Sequence, residues 1–183
     1  MQIEIKTAKL RDYEVIRAIN EMSVPHVSTI TADELRTLAP QCFYFAVAWA
    51  DGECAGFLMA MRPGEEYDSP HYQWFSQHYE DFVYVDRIAV APSYKGFGIG
   101  RALYADVERA AKSSTSNLTC EVNLAPPNPD SMAFHARLGF AEVGQLESEG
   151  GKKRVSLMVK VLRGEQIRPQ GLKPASLDRT TRR

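Results

Sequence analysis

Apolar and polar residues change their spacing several times along this chain, and each change marks an element. Residues 2–8, QIEIKTA, alternate with period two and predict an edge or near-edge strand. Over residues 12–22 the spacing lengthens, placing Val15, Ile16, Ile19 and Met22 on the inner side of a helix that Asp12 would cap. Pro25 forbids simple continuation of that helix. The polar loop that follows carries Ser23, His26 and Ser28 and reads either as a solvent loop or as part of a site. Thr31 and Glu34 have capping-box spacing and open a second, short helix. Residues 42–50 and 53–62 are strand-like runs joined at Asp51-Gly52, which predicts an antiparallel hairpin.

Residues 63–81 break the pattern, because Tyr67, His71, Tyr72, Trp74, Phe75, His78 and Tyr79 crowd a polar, proline-bounded insert. His71, Trp74, Phe75 and His78 fall at helical spacing from about Pro70. The pattern leaves two readings open, a helix packing one aromatic side on the sheet and a lid over a pocket. Residues 82–91 then form a β-branched and aromatic strand that Pro92 ends. Strict alternation puts Tyr84, Asp86, Ile88 and Val90 on one face and Val85, Arg87 and Ala89 on the other. Beyond a glycine turn, Ile99, Leu103, Val107 and Ala110 recur at helical spacing, with Arg101, Asp106, Glu108 and Arg109 elsewhere. Ser116-Asn117 turns the chain into a strand over residues 118–124, which a strand–helix–strand crossover makes parallel to the strand before it. A proline-rich turn, a helix stopped by Gly139, and strands over residues 141–148 and 153–162 around Gly150-Gly151 complete the pattern. From Gly164 the periodicity is lost and Arg168, Lys173, Arg179, Arg182 and Arg183 outweigh Glu165 and Asp178. The expectation is one domain over residues 1–163 and a basic tail over 164–183, mobile or ordered by a partner.

Composition narrows the function class. At 183 residues and 44% hydrophobic content the chain suits a single core. A net charge of −1 exerts no general pull on nucleic acid or membrane. No apolar run is long enough to span a bilayer, and the first residues resemble a strand more than a signal peptide, so a soluble, cytoplasmic protein is expected. Cys42, Cys54 and Cys120 lie in apolar contexts with no CxxC spacing and no paired histidine, which predicts reduced core thiols and no metal.

The chemistry begins at Gly96, Gly98 and Gly100. They leave the backbone bare where a helix N-terminus presents unpaired N–H groups and positive dipole, and Lys95 and Arg101 add charge on either side. A phosphate or pyrophosphate is the natural guest, against the plainer reading of a tight strand-to-helix turn. A Walker loop would need Gly, four residues and then Gly-Lys-Ser/Thr, which does not occur. A dinucleotide fingerprint would need its third glycine one position after Gly100.

Lys95-Gly96-Phe97-Gly98-Ile99-Gly100, following Ile88-Ala89-Val90 at a strand end, resembles the acetyl-CoA pyrophosphate loop of the GNAT superfamily of N-acetyltransferases. Lys95 departs from the arginine or glutamine of that loop, keeping charge without the planar fork. The segment NPDSMAFHARLGF, residues 128–140, is similar to a second motif of the same family. Asn128 opens it, Phe134 is its aromatic residue, Leu138-Gly139-Phe140 closes it, and His135 stands where a tyrosine is usual. The resemblance covers residues 2–162.

The resemblance implies an α/β (α+β) fold with a mixed, mostly antiparallel central sheet, splayed between its two parallel strands and flanked by helices. It implies acetyl-CoA as cosubstrate, held by Ile88, Ala89 and Val90, by the loop from Lys95 through Gly96, Phe97, Gly98, Ile99 and Gly100 to Arg101, and by Asn128 and Ser131. Pantetheine would lie along residues 88–90, with a backbone N–H near Val90 serving the oxyanion. The tyrosine's proton delivery to the departing thiolate would pass to His135, unless that histidine only packs. For the base, Asp86 is the candidate beside Tyr84, although it could equally pair with Arg87 or Lys153. Glu121 and Asn123 share a face of the neighbouring strand, and His26, Tyr72, Trp74 and Phe75 are expected to wall the acceptor pocket. The expected reaction is transfer of acetyl from acetyl-CoA to a primary amine of a small molecule, peptide or protein. The alternatives are a non-catalytic acyl-CoA-binding or regulatory protein of the same fold and, from another class, a nucleic-acid-associated protein using the basic tail. No membrane partner is expected, and a homodimer is left open.

Overall fold

Alternation becomes strand β1 (Ile3–Thr7), and the longer spacing that follows becomes helix α1 (Tyr13–Glu21). Asp12 does not cap α1. Its carboxylate instead accepts the Lys9 amide at 2.8 Å, closing the single 3-10 turn Leu10–Asp12 that leads into the helix. Met22 lies past the helix end and is 54% exposed, so the inner side consists of Ile16 and Ile19 with Val15 half-buried. Helix α2 (Ala32–Leu38) carries the predicted capping box, with Thr31 Oγ1 accepting the Glu34 amide and Glu34 accepting the Thr31 amide. Strands β2 (Tyr44–Ala50) and β3 (Glu53–Met61) meet at Asp51 and Gly52, both at positive φ, the conformation a tight hairpin requires.

Helix α3 (Pro70–His78) starts at the predicted proline, with Ser69 accepting the Tyr72 amide. Then come β4 (Val83–Val90), α4 (Ile99–Ala111), β5 (Asn117–Ala125), α5 (Pro129–Arg137), β6 (Ala141–Ser148) and β7 (Lys153–Val161). On α4 the last inward residue is Ala111 and not Ala110. This computed structural model describes residues 1–148 and 151–164; Gly150 and the basic tail beyond Gly164 lie outside them.

The strands form one seven-stranded sheet in the order β1-β2-β3-β4-β5-β7-β6, with β1 at an edge as expected. Every neighbouring pair is antiparallel except β4 and β5. Against one face, Leu103, Tyr104 and Val107 of α4 pack on Leu58, Val83, Val85, Cys120 and Val122. The other face is covered in two patches. Ile16, Ile19 and Leu35 of α1 and α2 meet Val47, Phe57, Met59 and Ala89, while Tyr72 and Phe75 of α3 meet Met61, Tyr84, Val155 and Leu157. Each fully buried side chain of this size contributes roughly 1.5–3 kcal/mol, so both layers are needed to hold the sheet.

Strict alternation fails on β4. The β3–β4 register slips between Met59 and Ala60, so that Asp86 is an extra residue opposite the partner strand, a β-bulge. Before the bulge Val83 and Val85 face α4, and after it Ile88 and Val90 do. Tyr84 and Ala89 face the opposite helices. The four residues predicted to share one face are therefore split between two, and Asp86 and Arg87 both reach toward the α1 and α3 side, where their partners lie.

Candidate active site

The two parallel strands pair only at Val83 with Leu118 and at Tyr84 with Thr119. Past those pairs β4 stays with β3 and β5 stays with β7, so the sheet is open between them. Ala91 donates its amide to Ala55 of β3 at 2.9 Å. Because successive strand amides point to opposite edges, the N–H of Val90 points into that opening.

One end of the opening is the glycine loop. Gly96 and Gly98 have φ of 84° and 86°, which side chains with a Cβ rarely adopt, and a Cβ built on Gly96 would meet nothing within 4 Å. The loop backbone is thus open to an incoming group. The Lys95 and Phe97 amides bond to Pro92 and Tyr94, and Ala102 is the first amide to bond back, to Gly98. Among the described residues the Ile99, Gly100 and Arg101 amides of the first turn of α4 have no backbone acceptor, the condition for holding an anion. Lys95 and Arg101 are exposed beside them, and Phe97 at the loop tip is 60% exposed. Gly100 has a different reason to be glycine: a Cβ there would lie 3.1 Å from the Phe134 ring, so its bareness lets α4 meet α5. Asn128 caps α5, accepting the Ser131 amide at 3.3 Å.

The opposite side of the sheet holds two carboxylates with different surroundings. Asp86 is fully engaged: Tyr67 donates its hydroxyl at 2.5 Å and Arg87 its Nε at 2.7 Å. Arg87 in turn donates to Asn20 of α1 at 3.1 Å and to the Ser28 carbonyl at 3.4 Å. The pair therefore pins the loop after α1 and the insert before α3 to the bulge. Each oxygen of Asp86, the expected base, thus carries one hydrogen bond in this structure. Burial, and then the Asp86 charge, hold the Tyr67 hydroxyl well above its ordinary pKa, so it remains a donor. Glu121 on β5 has only one oxygen occupied, Oε1, which lies 3.2 Å from His71 Nδ1. Its Oε2 is buried with no hydrogen-bond partner among the described residues, as are His71 Nε2 and the Tyr84 hydroxyl. His71 stood in the aromatic pattern of the insert, but nothing in spacing pointed from it to Glu121, 50 residues later.

The remaining predicted residues divide between site and core. Asn123 donates to the Pro25 carbonyl at 3.4 Å, drawing the loop with His26 across to β5, and His26 itself is exposed. Tyr72 and Phe75 are buried against the sheet. Tyr72 donates to the Arg62 carbonyl at 2.7 Å and accepts from the Glu65 amide at 2.9 Å. Trp74 is half-buried and stacks on His78 with ring centroids 4.0 Å apart. His135 is 3% exposed on the α4 side of the sheet. Its Nδ1 lies 2.8 Å from the Ser131 carbonyl and so carries the hydrogen, which leaves Nε2 to accept from the Tyr104 hydroxyl at 2.8 Å. Burial lowers its pKa, keeping the ring neutral. With its N–H on a carbonyl, the ring of His135, the expected acid, packs against Phe134 and Phe140 in this structure.

No cysteine offers a ready thiolate. Burial pushes Cys42 up to about 12, with Asp86 adding to it, and Cys54 up to about 11. Buried Cys120 lies well above the usual thiol range. Among the described residues no group of three or more histidine, cysteine, aspartate or glutamate side chains is placed to hold a metal ion. No helix among them is long and apolar enough to cross a membrane.

Three comparisons bear on this arrangement. A family model described as acetyltransferase (GNAT) family matches residues 11–140. No curated protein matches the chain significantly. Among solved structures, the ribosomal-protein-S18-alanine N-acetyltransferase from Escherichia coli is 17% identical with a TM-score of 0.68, over 94% of this chain and 99% of that one. Ard1 from Thermoplasma volcanium is 15% identical with a TM-score of 0.72, over 90% and 100%. The ribosomal-protein-alanine N-acetyltransferase from Brucella melitensis is 22% identical with a TM-score of 0.65, over 86% and 99%. At such identities the likeness speaks to the fold.

Proposed function

The chain belongs to the acetyltransferase (GNAT) family, and from that premise we propose that it transfers an acetyl group from acetyl-CoA directly to a primary amine. The observation that carries this reading is Glu121 Oε2, a buried carboxylate oxygen without a partner among the described residues, on the strand that borders the open seam. Acetyl-CoA, when bound, supplies the activated acyl group. The first-turn amides of α4, with Lys95 and Arg101, would hold its phosphates, and the bare backbone at Gly96 and Gly98 lets them approach. The Val90 N–H, aimed into the seam, is the donor for a carbonyl oxygen there. Glu121 accepts the proton that the amine loses, a role that Asp86, bonded to Tyr67 and Arg87 through both oxygens, is less free to take. The raised cysteines favour direct attack by the amine over an acyl-enzyme. The loop tied to Asn123 through Pro25 frames the acceptor side.

The test is thiol release from acetyl-CoA across a panel of primary amines, small molecules and peptides, with calorimetry of acetyl-CoA binding alongside. Amine-dependent release that Glu121→Gln removes, at unchanged acetyl-CoA affinity, is the expected result. Binding of acetyl-CoA with no amine-dependent release across the panel would leave an acyl-CoA-binding protein in place of a transferase.

A further inference from the structure

Within that proposed reaction, on which this reading of Glu121 rests, we infer that His71 is a positioning residue: its Nδ1–H holds Glu121 Oε1 so that Oε2 stays free for the acceptor's proton. The contact is 3.2 Å and joins the first turn of α3 to β5. A carboxylate offers only acceptors, so the nitrogen facing it carries the hydrogen, and in the neutral ring the other nitrogen, Nε2, is a bare acceptor. Both Nε2 and Glu121 Oε2 are buried and unpartnered among the described residues, on the two ends of a single contact. A fold gains no stability from leaving such atoms unpaired. The arrangement fits an incoming group that brings N–H donors, which is what an amine is.

The histidine is well placed to hold a flexible partner. Its helix is anchored by buried Tyr72 and Phe75, and Tyr72 is clamped between the Arg62 carbonyl and the Glu65 amide, so His71, itself 5% exposed, sits on rigid ground. Glutamate, by contrast, has a long, rotatable side chain, and among the described residues His71 is the partner recorded for its carboxylate. Fixing one oxygen orients the other, which is how a supporting residue raises the rate without touching substrate.

The test uses His71→Phe, His71→Asn, Glu121→Gln and the double variant His71→Phe/Glu121→Gln. His71→Phe is expected to lower kcat by about ten- to a hundredfold at unchanged acetyl-CoA affinity, in a protein that still unfolds cooperatively at a somewhat lower melting temperature. His71→Asn, whose amide can donate from near the Nδ1 position, should recover most of the loss. In the Glu121→Gln background His71→Phe should cost nothing more, since the two act as one unit. A full multiplicative loss in the double variant, or wild-type kcat in His71→Phe, would overturn the inference. Nitrogen-15 spectra of the free protein give a readout independent of turnover, with the His71 ring assigned by its absence in His71→Asn. Hydrogen on Nδ1 and a bare Nε2 are expected. The opposite tautomer overturns the pairing whatever the activity, whereas the expected tautomer in a protein that acetylates no amine sustains the pairing and overturns the proposed reaction.

Discussion

His71 and His135 are both buried, on opposite sides of the same sheet, and their surroundings differ in what they leave unpaired. Around His135 each valence is used: the Ser131 carbonyl takes one nitrogen's hydrogen, Tyr104 donates to the other, and rings of Phe134 and Phe140 close over the imidazole. Around His71 one nitrogen meets Glu121 and the other has no partner among the described residues. The carboxylates repeat the contrast, with both Asp86 oxygens bonded, to Tyr67 and Arg87, and one Glu121 oxygen without a partner among the described residues. The bonded groups hold the fold together, and the unpaired atoms of His71 and Glu121 are the ones the proposed reaction uses.

The contrast is sharpest in Glu121→Gln, which should lower kcat/KM by roughly 10²–10⁴-fold, the usual reach of a general base, with acetyl-CoA affinity unchanged. Steady-state kinetics with calorimetry checks it, and near-wild-type turnover would erase the distinction between the two carboxylates. Asp86→Ala should act on stability instead. It strands the buried Arg87 charge, at a cost of about 3–5 kcal/mol in denaturant unfolding, and loosens the loop and insert that Arg87 and Tyr67 tie down. Smaller again is Tyr104→Phe, which orphans His135 Nε2 and should cost about 1–3 kcal/mol while leaving kcat close to wild type. A large loss of kcat in a stable Tyr104→Phe protein would move the α5 region to the functional side of the comparison.

The smallest effect is in the pH dependence of stability. Burial holds the His135 pKa below its ordinary value, so the ring is neutral in the folded protein while the unfolded chain titrates near about 6.5. The stability this contributes is fully present above that value and is lost as pH falls toward the folded pKa, because only the unfolded chain takes up the proton. Melting temperature measured between pH 8 and 5 should therefore fall less steeply in His135→Gln than in wild type. Equal slopes would mean that His135 protonates without cost, contrary to its saturated surroundings.

Much of this was legible beforehand, for physical reasons that also mark where legibility ended. Local signals held because they are local: the Thr31 and Glu34 box, the Asp51-Gly52 turn and the helix entrance at Gly98 depend on residues a few positions apart. The opening between β4 and β5 followed from the family resemblance. The bulge at Asp86 did not, because a single extra residue leaves no mark on an alternating pattern, and it inverted the side chains beyond it. Nor did pairing across distance. His71 with Glu121 and Arg87 with Asn20 join residues that only the folded sheet brings together. For His135 the sequence shows a ring on α5 but not that Tyr104 and Ser131 meet both its nitrogens.

The seam between β4 and β5 has a consequence for how the molecule breathes. Strands β1 to β4 and strands β5 to β7 each form a continuous ladder, but only the pairs Val83 with Leu118 and Tyr84 with Thr119 join the two ladders. In native-state amide hydrogen exchange the two ladders should therefore open with separate free energies, joined at the boundary by the helices packed across both. A ligand lying in the seam supplies the missing rungs, so its binding should slow exchange at Val90 and couple the two units into one.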